Sequence, residues 1–130
     1  MITVTVDDET KLITATCSGT LSLEDLNNYL STNWTDSRLE YDELFELGDA
    51  MAALDYGALL IHCTDASQYN SRHLVGRSRS AIVAKDRVQT ELADFYRASM
   101  TLHDVRDVEV FGNSTDAINW LRSDDRDFNC

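Results

Sequence analysis

The feature that most limits the fold of this chain is a regular change between two hydrophobic patterns. The run ITVTV (2–6) alternates apolar and polar residues, and LITATCSG (12–19) follows it after the polar turn DDETK. Two such runs joined by a short polar turn predict a β-hairpin. Further along, segments with apolar residues three and four positions apart, typical of helices, alternate with short apolar runs. This alternation predicts an α/β fold.

Three more strands are predicted after the hairpin. They are DELFELGD (42–49), SAIVA (80–84) and DVEVF (107–111). In the first, Leu44 alternates with acidic residues, and Phe45 and Leu47 lie on the opposite face. SAIVA is wholly apolar, as expected for a strand that is buried on both faces.

Four helices are predicted between and after these strands. Ser22, Asp55 and Asp86 are good N-caps for the first three, and GNSTDAINWL contains the fourth, with Ile118 and Leu121 facing inward. The order ββαβαβαβα predicts a single domain over residues 1–122, with four helices on a five-stranded, mixed and mostly parallel sheet. The remaining residues, 123–130, are predicted to form a frayed tail.

The second and third helices each place four apolar side chains on one face. The faces are Tyr56, Leu59, Leu60 and Cys63 in the second helix, and Val88, Leu92, Phe95 and Tyr96 in the third. Such stripes are typical of helices that pack on a core. They could also line an apolar cleft between the two helices, which leaves two interpretations open for Leu59, Leu60, Phe95 and Tyr96.

The charge of the chain limits its partners. The formal net charge is −12 at pH 7, with 23 acidic and 11 basic residues. Nucleic acids and anionic membranes need basic surfaces, so neither is expected as a partner. Residues 1–65 have a net charge of −11 and residues 66–130 of −1. This asymmetry is consistent with self-association or an oppositely charged partner, and also with a solvated acidic surface. The second half opens with a basic cluster: Arg72, Arg77, Arg79, Lys85 and Arg87.

The location of the protein is predicted from what the sequence lacks. No apolar run approaches the ~18–20 residues of a transmembrane helix, and the first ten residues do not resemble a signal peptide. The three cysteines are Cys17, Cys63 and Cys130, an odd number without CxxC spacing, so a disulfide framework is not expected. We predict a reducing, cytoplasmic setting.

Four phrases make the chain resemble a known superfamily. They are GTLSLEDL, YDELFELGDA, RSAIVAKD with ELADFYRA, and VEVFGNSTDAINWL, which together span residues 2–122. In order and pattern they are similar to the STAS domain of anti-sigma-factor antagonists in the SpoIIAA-like superfamily. The resemblance is sharper with bacterial SpoIIAA-like and STAS/SEC14-like proteins of unknown function. It implies a regulatory or protein-interaction module.

The start of the second helix is where this resemblance bears on function. Sigma-factor regulators of the superfamily carry a phosphate-accepting serine in a D-S-S-G-L-type turn, and the matching turn here reads LDYGAL. Gly57 matches the glycine, whereas the place of the serine falls on Asp55 or Tyr56. The phosphate-accepting hydroxyl is therefore missing. Asp55 is interpreted mainly as an N-cap, and Asp49, Asp55, Tyr56 and Gly57 are the predicted contact residues for a protein partner or a second copy, with a homodimer expected.

The sequence carries no recognisable catalytic or metal-binding motif. His62 and Cys63 are adjacent in a predicted helix, so their side chains diverge and cannot bind one metal together. Cys63 and Cys17 are interpreted as small core residues. No Gly-rich nucleotide loop is present. We therefore predict no catalytic residue, no metal and no cofactor.

Lys85 and Arg87 follow the strand SAIVA at its carboxyl end, where ligands of open α/β sheets bind. Together with the free N–H groups of the following helix they could hold an anion. The alternative is a pair of solvated cations that offset Asp86 and Glu91. The sequence thus supports two functions: a non-enzymatic interaction module, and, as an alternative, a SEC14-like carrier of a small apolar ligand.

Overall fold

A computed structural model describes residues 1–35, 37–38, 40–53, 55–71, 78–102 and 107–123. The strands are β1 (Ile2–Asp7), β2 (Leu12–Cys17), β3 (Thr20–Ser22), β4 (Asp42–Glu46), β5 (Met51–Ala53), β6 (Arg79–Val83) and β7 (Asp107–Phe111). The helices are α1 (Leu23–Asn33), α2 (Tyr56–Ser71), α3 (Arg87–Leu102) and α4 (Ser114–Leu121).

The predicted five-stranded sheet is confirmed, in the order β1-β2-β4-β6-β7. The hairpin pairs β1 with β2 antiparallel, and the remaining neighbours pair in parallel. Two short strands escaped prediction: β3 and β5 form a separate parallel pair. Three residues are too few to show a period of two, so the sequence pattern could not reveal them.

The helices divide between the two faces of the sheet. Side chains of α1, α2 and α3 pack with Ile13, Ala15 and Ile82 in the main core cluster. On the other face, α4 places Ala117 and Leu121 against side chains of β4 and β6. The predicted opposite orientations of Leu44 and Phe45 are confirmed, since Leu44 packs on the α4 side and Phe45 on the side of the other helices.

The predicted helix starts are confirmed where the structure describes them. Ser22 forms a capping box with Asp25, which satisfies N–H groups that would otherwise lack partners at the start of α1. The Asp86 carboxylate accepts a hydrogen bond from the Gln89 N–H at 2.8 Å. Asn113 caps α4 through the Asp116 N–H at 2.9 Å. Two residues of the predicted basic cluster, Arg72 and Arg77, lie outside the described residues. So do residues 124–130 of the predicted tail.

The side chains of Val88 and Arg79, like those of Tyr56 and Leu60 on α2, are placed differently from the prediction. Val88 is 65% exposed, whereas Leu92, Phe95 and Tyr96 of the predicted face do pack on the core, and the most deeply buried residues of α3 are Gln89, Ala93, Ser99 and Met100. The inward face is rotated because Gln89 finds hydrogen-bond partners inside, which an apolar pattern cannot indicate. Arg79, predicted within the basic cluster, is 4% exposed and so does not contribute to a surface patch.

The buried Arg79 side chain is held through its Nη1 and its ring contact, while its Nε has no hydrogen-bond partner among the described residues. Its guanidinium lies 4.8 Å from the centre of the Trp120 ring, and its Nη1 donates to the Trp120 carbonyl oxygen and to Ser123 Oγ, both at 2.6 Å. Its backbone N–H donates to an Asp42 carboxylate oxygen at 2.9 Å. Arg79 therefore joins β6 to the end of α4.

Candidate functional site

The start of α2 is held by the predicted cap. Asp55 Oδ1 accepts a hydrogen bond from the Ala58 N–H at 2.8 Å, which is N-cap geometry. Asp55, Tyr56 and Gly57 are all exposed. The cap explains an aspartate at this position, and the two following residues present their surfaces to solvent.

The outward face of α2 is unusual for a protein this acidic. Among residues 56–66 of α2, whose burial is described, the exposed ones are Tyr56, Gly57, Leu60, Ile61 and Thr64, none of which is charged, and Asp65 is half-buried. Tyr56 is 50% exposed, Leu60 45% and Ile61 55%. Solvent-facing helix surfaces normally carry charged and polar side chains. We call these five residues the α2 patch. Tyr56 also contacts the Phe95 ring of α3, with 4.8 Å between ring centres.

Asp49 lies in the turn between β4 and β5 and is exposed. Gly48 precedes it with a φ of +57°, a conformation that favours glycine. The Gln89 side chain fixes this turn, because its Nε2 lies 2.9 Å from the Gly48 oxygen and 3.2 Å from the Ala50 oxygen. Asp49 is thus presented by a turn that is anchored to α3.

The side chains of Lys85 and Arg87 are both exposed, as expected for solvated cations. Arg87 is exposed and forms an ion pair with Glu91, with Nε and Oε2 3.2 Å apart. The Asp86 carboxylate already occupies the Gln89 N–H at the start of α3. An anion would have to compete with this carboxylate, so the arrangement favours the alternative in which the two cations offset Asp86 and Glu91.

The predicted apolar cleft is only partly assembled. A cavity of about 80 Å³ lies between the sheet and helices α1 to α3, and Leu59 and Tyr96 line it. Leu60 and Phe95 lie outside its lining: Leu60 belongs to the α2 patch, and Phe95 is half-buried against Tyr56. The cavity is deeper than the predicted cleft and borders the sheet itself.

A buried carboxylate on β4 escaped the sequence analysis. Glu43 is 4% exposed and lines the cavity. Its Oε2 accepts hydrogen bonds from the Tyr29 hydroxyl at 2.5 Å and the Trp34 indole N–H at 2.7 Å, and its Oε1 accepts one from Ser80 Oγ at 2.6 Å. We call these four residues the Glu43 cluster. Three donors offset the cost of burying the charge.

The sequence contained one weak signal of this cluster. Glu43 lies between Asp42 and Leu44, in the strand where Leu44 alternates with acidic residues. Ser80 is its partner in the parallel register of β4 and β6. Side chains of neighbouring strands that are in register lie on the same face, so a polar residue at each position could have suggested a buried pair.

His62 lies near this cluster and lines the same cavity. It is 3% exposed, and its Nδ1 lies 3.5 Å from Asn27 Oδ1. Burial lowers the pKa of His62 to about 4, although the carboxylates of Glu43 and Asp65 act in the opposite direction. The imidazole is therefore neutral at pH 7.

The two described cysteines are poor nucleophiles. Burial raises the pKa of Cys17 to about 12 and that of Cys63 to about 11. Both are thus thiols at neutral pH, whereas reactive cysteines are thiolates. Among the described residues, no group of three His, Cys, Asp or Glu side chains is placed to hold a metal ion. No helix in the described part of the chain is long and apolar enough to cross a membrane.

Comparisons with known proteins identify the fold. No protein-family model matches the chain, and no curated protein matches it significantly. A solved structure does match: an uncharacterised protein of the DUF3478 family from Shewanella loihica PV-4, which has a SpoIIAA-like fold. The TM-score is 0.56 over 93% of this chain and 92% of the other, at 16% sequence identity. This chain has a SpoIIAA-like fold.

Within this SpoIIAA-like fold, the α2 patch and the cavity lie on the same side of the sheet. Leu59 lines the cavity from the inner side of α2, while Leu60 and Ile61 occupy its outer side. One helix therefore separates an exposed apolar surface from an internal space, and these are the two candidate sites.

Proposed function

We propose that the protein is a non-enzymatic interaction module that binds a second copy of itself through the α2 patch. The observation that supports this most is the uncharged, apolar outward face of α2 in a chain of net charge −12. Apolar residues exposed side by side often mark protein contact surfaces. The patch also begins at the turn where the resemblance to sigma-factor regulators places their switch.

A non-enzymatic role is supported by the chemistry of the buried groups. The thiols of Cys17 and Cys63 have raised pKa values, and three donors hold the Glu43 carboxylate. Such groups are suited to holding a structure together, since a nucleophile or a base needs access to a substrate.

Charge governs how this association should depend on salt. Two copies of a chain with net charge −12 repel each other, and exposed Asp49 and Asp55 lie near the patch in sequence. Salt screens such repulsion over about 10 Å at 0.1 M. Dimerisation through an apolar patch should therefore strengthen as salt is added, the opposite of an interface held by ion pairs.

Sedimentation velocity tests the proposal at about 20 mM and about 500 mM NaCl, which screen charge very differently. We expect the dimer fraction of the wild type to rise with salt, and Ile61→Lys to be monomeric at both concentrations. Val88→Lys is the matched control, because Val88 is also an exposed apolar helix residue and the charge change is identical. It should behave as the wild type does.

Two results would contradict self-association through the α2 patch. One is a wild type that is monomeric at both salt concentrations. The other is an Ile61→Lys variant that dimerises as well as Val88→Lys does. Asp55→Asn adds a check, because asparagine caps helices as well as aspartate does. It should leave the melting temperature unchanged and strengthen the dimer at low salt.

The carrier hypothesis draws support from the cavity, but only for small cargo. At about 80 Å³, the cavity lies below the roughly 300–1,000 Å³ of ordinary ligand pockets. A lipid chain would require α2 and α3 to separate. The cavity nevertheless suits a much smaller occupant.

A further inference from the structure

The lining of the cavity sets the chemistry of anything that enters it. Most of the side chains around it are apolar, among them Leu26, Leu59, Ile82 and Leu92, and the polar ones include Glu43, His62 and Gln89. A charged molecule would lose its hydration in such surroundings. An occupant is therefore uncharged and mainly apolar.

The polar side chains of the lining differ in how far their hydrogen-bonding atoms are already paired with other protein atoms. The Glu43 carboxylate accepts three hydrogen bonds from protein donors. Gln89 accepts from the Lys85 N–H and donates to the Gly48 and Ala50 oxygens. His62 is different: its Nδ1 has one long contact with Asn27, and its Nε2 has no hydrogen-bond partner among the described residues. The His62 side chain lines the cavity, and Nε2 is the ring nitrogen that the Asn27 contact leaves available to a ligand there.

The size of the cavity limits the length of the occupant. An engineered apolar cavity of about 150 Å³ in another protein holds benzene, so roughly half that volume suits three or four carbon atoms. We propose that the cavity binds a small uncharged molecule with a short apolar body and one hydroxyl, which hydrogen-bonds to His62 Nε2. Asn27 Oδ1 can only accept, so Nδ1 carries the ring proton and Nε2 accepts from the hydroxyl, which an ether cannot replace as a donor.

This inference does not depend on dimerisation, because the cavity lies on the inner side of α2. A ligand of four non-hydrogen atoms gains at most about 1.5 kcal/mol from each, so binding is no tighter than tens of micromolar. NMR detects binding in this range, and the methyl groups of Leu59, Ile82 and Leu92 report on the cavity from three elements.

The experiment titrates methyl-labelled wild type with 1-propanol and, separately, with ethyl methyl ether, which has the same number of heavy atoms and no hydroxyl. We expect saturable shifts of the Leu59, Ile82 and Leu92 methyl signals with 1-propanol. The ether should bind about five-fold more weakly, which corresponds to the loss of one hydrogen bond.

His62→Phe keeps an aromatic ring and removes both nitrogens. In this variant the two ligands should bind equally well. If that variant does not fold, Ala93→Val provides the second test: it adds two methyl groups at the lining and should abolish saturation for both ligands. Shifts that fail to saturate in the wild type overturn the proposal, as does equal binding of alcohol and ether, which would indicate a packing void only.

Discussion

At the scale of single residues, the Glu43 cluster forms a polar group within an otherwise mainly apolar core. The Glu43 cluster joins β4 to β6 through Ser80 and to α1 through Tyr29 and Trp34. These bonds have fixed directions, unlike apolar contacts, so they define how α1 lies on the sheet. An apolar residue at position 43 would remove the acceptor of all three hydrogen bonds, and losing the partner of a buried donor costs about 1–3 kcal/mol.

Glu43 is therefore expected to be more sensitive to truncation than to neutralisation. Glu43→Ala should lower the free energy of unfolding by about 3 kcal/mol or more, because it removes the carboxylate that accepts hydrogen bonds from Tyr29, Trp34 and Ser80. Glu43→Gln should cost about 1–2 kcal/mol, since its amide oxygen still accepts and the Ser80 hydroxyl can rotate. Urea denaturation measures both, and equal losses would contradict this account of the cluster.

His62 is expected to make stability depend on pH. Its pKa is lowered from 6.5 to about 4 in the folded state, so the unfolded state binds the proton more readily between these values. Stability should fall by roughly 3 kcal/mol as the pH drops from about 6.5 to about 4. Denaturation at several pH values measures the slope, and His62→Gln should remove this part of it. If the stability of His62→Gln falls with pH as steeply as that of the wild type, the pH dependence arises from groups other than His62.

Among the elements, the β4–β5 connection depends most on backbone geometry. Gly48 has a φ of +57°, and a Cβ added there would lie 3.3 Å from the Cys17 carbonyl oxygen. Gly19, in the turn between β2 and β3, has a φ of +63° with nothing within 4 Å of an added Cβ. The two glycines share a left-handed conformation and differ in crowding.

These glycines provide a matched pair of variants. Gly19→Ala should cost about 1 kcal/mol, the usual cost of a left-handed backbone for a residue with a Cβ. Gly48→Ala should cost more, because either the turn or the end of β2 must also shift. Thermal denaturation of both variants makes the comparison, and a smaller loss for Gly48→Ala would be inconsistent with the crowding.

The strands could be predicted from the sequence better than the faces of the helices. Alternation and β-branched residues identified β1, β2, β4, β6 and β7, because a buried strand leaves a strong local pattern. Gln89 and Glu43 face inward only because partners distant in sequence satisfy them, and no local pattern reports such partners. Tyr56 and Leu60 were predicted to face inward for the opposite reason: the first two turns of α2 carry apolar side chains on most sides, so the pattern does not indicate which side is exposed.

The candidate sites follow the same division. The Asp55 cap is local chemistry, and the sequence predicted it. The cavity depends on how α1, α2 and α3 come together on the sheet, and its lining combines residues from Leu21 to Tyr96. Of the residues that were predicted to contact an apolar ligand, Leu59 and Tyr96 do line the cavity. The polar lining residues Glu43 and His62 were not predicted as ligand contacts.

The whole molecule carries an unbalanced charge. The net charge is −12, and residues 1–65 account for −11 of it. The ion pairs of Arg87 with Glu91 and of Arg97 with Asp94 are exposed, and such pairs contribute little to stability. Repulsion among the unpaired carboxylates is thus a general cost of the folded state.

The folded protein is therefore expected to gain stability from salt. Raising NaCl from about 10 mM to about 200 mM should increase the melting temperature, because the screening length falls from about 30 Å to below 10 Å. Ile61→Lys at low protein concentration separates this effect from dimerisation. A melting temperature that is constant or falls over this range would show that attractive pairs balance the repulsion.

Helix α4 alone covers its face of the sheet in the described structure, and it follows all the strands in the chain. During synthesis on the ribosome, Leu44, Ala81 and Val83 therefore exist for a time without the helix that shields them. A nascent chain grows at about 5–20 residues per second, so this interval is short but real. Chaperone binding and premature degradation should concentrate in it, and they should decline once Ala117 and Leu121 have docked.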